Sequence, residues 1–123
     1  MMKVFISGSW WSKVNFVDEN NVCLGYDLSQ NCCENADWFI SDKVETKIIK
    51  RTEDAPDLNG FVFDCDFFQK IEGDEFEDGG MAVFRIKSKT AEKFIHIYNA
   101  QNGYYSHGFN LKVSGEVLRE GEI

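Results

Sequence analysis

The chain has 123 residues, with 21 acidic against 13 basic side chains for a net charge of −8, and it carries 11 Phe, 4 Tyr and 3 Trp but a single proline. That length fits one domain, 1–123, able to bury a core without a disulfide framework or structural metal, and 43% hydrophobic residues exclude global disorder. No apolar run reaches the roughly 18 residues of a membrane span, and MMKVFISGSWW lacks the long apolar stretch and small-residue cleavage site of a signal peptide. The expectation is a cytoplasmic protein without membrane contact, and its acidic balance argues against direct binding of nucleic acid, whose affinity comes from Lys and Arg at phosphates.

In chain order, Val14 and Phe16 precede a polar DENN turn, after which Val22, Leu24 and Tyr26 alternate with Cys23 and Gly25, the pattern of a hairpin. Asn31 followed by Glu34 matches a loosened capping box and predicts a short helix from Cys32 to about Ile40, turning Trp38 and Phe39 toward a sheet. VETKIIK, from Val44 to Lys50, reads as a strand, and Pro56 marks a loop. FVFDCDFF is the clearest strand, with Phe61, Phe63, Cys65 and Phe67 on one side and Asp64 and Asp66 on the other.

MAVFRIK repeats the alternation, with Ala82, Phe84 and Ile86 inward, and KFIHIYNA follows a polar turn. Asn102-Gly103 is a strong hairpin signal feeding YYSHGFNLKV, where Tyr105, His107, Phe109, Leu111 and Val113 share a face. A turn at Ser114-Gly115 leads to a short last strand through Val117 and Leu118. The expected fold is mainly β: an antiparallel twisted sheet or small barrel of about seven strands with one short helix.

Charge is distributed unevenly. Residues 52–80 hold ten of the acidic side chains against Lys70 alone, and Glu72, Asp74, Glu75, Glu77 and Asp78 crowd into EGDEFEDGG. Repelling carboxylates among glycines predict an exposed loop. The segment lacks the alternating oxygen ligands and terminal glutamate of a calcium loop.

Other candidate chemistry is sparse. Cys32 and Cys33 are adjacent, and Cys23 and Cys65 are remote, so the spacing of a zinc site is absent. His96 and His107 each alternate with aromatic residues, which fits enclosed, hydrogen-bonded imidazoles better than general bases. Asp64 and Asp66 point the same way about 7 Å apart by strand rise, but FFQK behind Asp66 does not supply the lysine of a metal-dependent nuclease. No phosphate-cradling loop, serine elbow, dinucleotide fingerprint or HExxH helix occurs. No cofactor or metal is expected, and an enzyme is the minority reading.

DGGMAVFRIK and FIHIYNAQNGYYSHGFNLKV, with the earlier GYD and NCCENADWFI, resemble a family of small domains of bacteria and their phages; NCCE and NGYYSHGF are the distinctive parts. The resemblance implies a source context and carries over no activity or catalytic residue.

The leading expectation is a non-catalytic binding module whose Asp74, Glu75, Glu77 and Asp78 dock on a basic protein surface, such as that of a nucleic-acid-binding protein. In a phage or mobile element this would suit an inhibitor of a nucleic-acid-processing defence system, an anti-CRISPR-like role. A second expectation is a small-molecule-binding or hydrolytic site beside NGYYSHGF, drawing on Tyr104, Tyr105, His107 and Cys33. A third is a structural or oligomerisation domain with Trp10 and Trp11 as contact residues.

Overall fold

Val14 and Phe16 alternate with polar neighbours on one side of the DENN turn and Val22, Leu24 and Tyr26 on the other, and all five apolar side chains are buried. In the computed structural model, which describes residues 2–8, 12–29, 35–51, 56–101 and 106–123, they lie on β2 (Lys13–Val17) and β3 (Val22–Asp27). The described residues form nine strands in all, with β1 (Lys3–Ser7), β4 (Asn35–Ser41), β5 (Val62–Ile71), β6 (Gly80–Lys87), β7 (Glu92–Ala100), β8 (Gly108–Val113) and β9 (Glu116–Glu122). They make two antiparallel sheets, β1-β2-β3-β8-β9 and β4-β7-β6-β5, and no closed barrel.

The sheets stack face to face. Phe16 on β2 meets Trp38 on β4 edge-on at 5.1 Å, and the Tyr26 hydroxyl on β3 donates to the Tyr98 carbonyl on β7 at 2.7 Å. Phe109 on β8 packs on Phe84 of β6 at 5.8 Å, and the Arg119 guanidinium of β9 lies over Phe68 of β5 at 4.4 Å. The core between the layers joins these rings to Leu24, Ile86, Ile95, Ile97 and Leu111. Each large apolar side chain so removed from water contributes about 2 kcal/mol. Five strands face four, so β1 overhangs.

A second core covers the other face of the four-stranded sheet. Phe39, Met81, Val83, Phe94 and Tyr98 point outward there and are sealed by Phe76, with Val44, Ile48 and Phe67 packed alongside. This sheet is buried on both faces.

Three expectations are corrected by this arrangement. The helix predicted from Cys32 to Ile40 is the strand Asn35–Ser41 where it is described. Trp38 faces the first core and Phe39 the second; a strand buried on both sides loses the polar alternation that marks one. Val44–Lys50 is not a strand but a connection that drops Val44 and Ile48 onto the second core. In β5 the register jumps between Asp64 and Phe68, a bulge that turns Phe67 to the outer core and Phe68 to the inner one instead of continuing the Phe61, Phe63, Cys65 face. Residues Cys32, Cys33 and Glu34, together with Trp10, Trp11, Asn102, Gly103, Tyr104 and Tyr105, lie outside the described residues.

Candidate functional site

EGDEFEDGG connects β5 to β6, and its one aromatic residue decides its shape. Phe76 is 1% exposed and inserts into the second core, while Glu72, Asp74, Glu75, Glu77 and Asp78 around it are exposed. Asp74–Phe76 form a single 3-10 turn closed by the Phe76 N–H donating to the Gly73 carbonyl at 3.0 Å. The Phe76 carbonyl accepts from Gly79 at 2.9 Å and from Gln101 at 3.2 Å, and the Asp78 N–H donates to the Gln101 carbonyl at 2.9 Å. On the other side the Ile48 N–H donates to the Glu75 carboxylate at 3.0 Å. The expected loop is therefore fixed by an apolar anchor and by main-chain bonds to the end of β7.

Gly79 makes that approach possible. A Cβ there would sit 1.8 Å from the Asn99 carbonyl oxygen, so only glycine lets the turn lie against β7.

The ion pairs among the described residues lie away from the turn. Arg51 pairs with Asp37 at 3.1 Å, Lys93 with Asp42 at 2.8 Å, and Arg85 and Lys87 with Asp64. Among the described residues no ion pair reaches Glu72, Asp74, Glu75, Glu77 or Asp78. Topology adds further acid at the same end of the molecule. The end of β3, the start of β8 and the end of β9 all emerge there, and Lys13, Asp27, Gly108, Asn110, Glu120 and Glu122 line an open groove of about 480 Å³. Ser106 donates to the Glu122 carboxylate at 2.9 Å.

His107 stands behind that surface and not on it. It is 1% exposed, its Nδ1 donates to the Asp27 carbonyl at 2.6 Å, and its backbone exchanges bonds of 2.7 and 3.0 Å with Ile123. The ring ties the approach to β8 to the end of β3, and the backbone ties it to Ile123. His96 is also enclosed. It stacks on Phe39 at 4.3 Å, its Nε2 accepts from the Glu45 N–H at 2.9 Å, and its Nδ1 faces the Phe94 carbonyl at 3.1 Å. Burial lowers its pKa to about 4, so near neutrality it is an uncharged spacer.

The remaining candidates are occupied structurally. The Asp64 carboxylate takes both Arg85 and Lys87, and the Arg85 hydrogen bond holds its pKa below the usual carboxylate value. A carboxylate so committed is a poor partner for Asp66 in metal binding. The Cys23 and Cys65 thiols are half-buried, and burial raises both pKa values, with Asp18 and other nearby carboxylates adding to the shift at Cys65. Neither environment favours a thiolate nucleophile. Among the described residues no group of three His, Cys, Asp or Glu side chains is arranged to hold a metal ion, and no helix is long and apolar enough to cross a membrane.

Asp18 is the structural residue hidden in the sequence. It belongs to the DENN turn, yet it is 5% exposed; Oδ1 accepts from Asn20 and Val22, each at 2.9 Å, and Oδ2 accepts from the Phe63 N–H at 2.8 Å. It ties the β2–β3 turn to the start of β5. The only local signal is an Asp at the head of a turn.

No protein-family profile, no curated protein and no solved structure matches the chain.

Proposed function

We propose that the protein is a non-catalytic binding module that presents the 72–78 turn to a basic protein surface, of the kind that nucleic-acid-binding proteins carry. The observation that supports this reading is the combination of exposed carboxylates that no ion pair among the described residues reaches with a turn fixed by buried Phe76. A pre-ordered cluster of like charge is repulsive in isolation, and a cationic partner relieves the repulsion without ordering a flexible loop first. Asp27, Glu120 and Glu122 extend the negative field across the same end. His107, 1% exposed with its Nδ1 committed to the Asp27 carbonyl, favours a structural role for that imidazole.

The test is affinity capture from the source organism, followed by mass spectrometry and elution with increasing salt. The wild-type chain should retain a basic protein released at moderate salt. The quadruple variant Asp74→Asn, Glu75→Gln, Glu77→Gln, Asp78→Asn, whose amides keep the acceptor for Ile48, should retain at least tenfold less. Equal capture by both proteins refutes the docking reading. Displacement of nucleic acid from the captured protein would identify the module as a competitive inhibitor.

A further inference from the structure

We propose that β1 is a self-association edge, through which two copies join antiparallel about Phe5 into one continuous sheet. Two sheets have four outer edges, and three are blunted. On β9 the register shifts between Leu111 and Lys112, and Arg119 turns inward over Phe68. On β5 the bulge between Asp64 and Phe68 interrupts pairing. At β4, Arg51 bonds Asp37 while its guanidinium covers Trp38 at 4.7 Å; these neighbours point to opposite faces of the strand, so the side chain crosses the free edge. Bulges and charged groups placed this way prevent edge-to-edge pairing.

The β1 edge carries no bulge, and its one charged residue, Lys3, stands at the start of the strand and leaves Val4–Ser7 uncharged. Lys3–Ser7 pair in unbroken register with β2, and among the described residues no strand pairs with the other side. Phe5 is 47% exposed. Because β1 overhangs the four-stranded sheet, its inward Val4 and Ile6 are only partly buried. A cavity of about 250 Å³, lined by Val4, Phe5, Ile6, Trp38 and Arg51, remains beside them.

The strand is complementary to itself. An antiparallel pairing centred on Phe5 puts the two phenyl rings opposite one another, Val4 opposite the second copy's Ile6, and Lys3 opposite the second copy's uncharged Ser7. Aromatic cross-strand pairs are favourable, and directly opposed like charges are avoided. The second copy's Val4 and Ile6 enter the space beside Trp38. A two-fold of this kind is isologous and closes at two copies. It also meets the charge problem of joining chains of net −8: the acidic end is the Ser7 end of β1, so antiparallel copies point their acidic ends in opposite directions.

Sedimentation equilibrium tests the proposal. The wild-type mass should rise from one chain to two with concentration, and added salt should strengthen the dimer by screening its net charge, the opposite of the salt effect on acidic docking. Phe5→Glu and Phe5→Lys should each remain single chains with unchanged circular dichroism, and an equimolar mixture of the two should recover the dimer. Phe5→Cys should give, under mild oxidation, a disulfide linking position 5 to position 5, mapped by peptide mass. A wild-type chain that stays monomeric at all concentrations, a Phe5→Glu protein that dimerises as well as wild type, or no association on mixing the charged variants overturns it. None of these outcomes depends on the acidic turn, and the quadruple carboxylate variant should dimerise normally.

Discussion

The backbone N–H of Glu45 donates to Nε2 of His96 across 2.9 Å, joining the 42–51 connection to the outer face of β7 through a neutral imidazole. Protonating Nε2 would remove the only acceptor in that bond and place a charge against Phe39. In the folded protein the pKa falls to about 4 from an ordinary 6.5. The unfolded chain therefore binds the proton first as pH drops. Stability from this residue is complete above about pH 6.5 and is lost progressively down to about pH 4, by roughly 3 kcal/mol in total. Denaturant unfolding across that range should show a steeper pH dependence for the wild type than for His96→Gln. Parallel profiles would refute the assignment.

Asp18 is predicted to matter more than its place in a polar turn suggests. Its carboxylate accepts three backbone N–H groups, two of them, from Val22 and Phe63, buried. Asp18→Ala leaves those donors unsatisfied and should cost about 3 kcal/mol or more, with Asp18→Asn intermediate because one acceptor oxygen survives. Urea titration of the three proteins checks the order.

The acidic turn should depend on its anchor as much as on its charge. Phe76→Ala empties a fully enclosed site and should destabilise the fold by about 3–5 kcal/mol. Gly79→Ala forces the turn away from the Asn99 carbonyl and should cost about 1–3 kcal/mol. Both variants keep all five carboxylates, so a weakened partner capture by folded Gly79→Ala protein, checked by circular dichroism, would show that placement of the charges is required and not their number alone.

Much of the fold was legible along single strands. The hairpin from Val14 to Tyr26, the inward Ala82, Phe84 and Ile86, and the burial of Phe109 and Leu111 follow from alternation, because the pleat sends neighbouring side chains to opposite faces whatever lies beyond them. Asn35–Ser41 was unreadable by the same rule, since Trp38 and Phe39 serve different cores. The β5 bulge was equally hidden: Asp64, in the middle of a regular pattern, is held by Arg85 and Lys87 from the next strand.

For the candidate site, composition alone placed the carboxylates in 72–78, because a dense run of like charges among glycines has few stable places except the surface. Tertiary structure decided that Phe76 fixes the turn, that the described ion pairs of Arg51, Lys93, Arg85 and Lys87 go to Asp37, Asp42 and Asp64 and not to the turn, and that Glu120 and Glu122 share its end of the molecule. It likewise enclosed His96 and His107. Local pattern reports which way a side chain points, whereas burial and pairing depend on what the rest of the chain brings to that face.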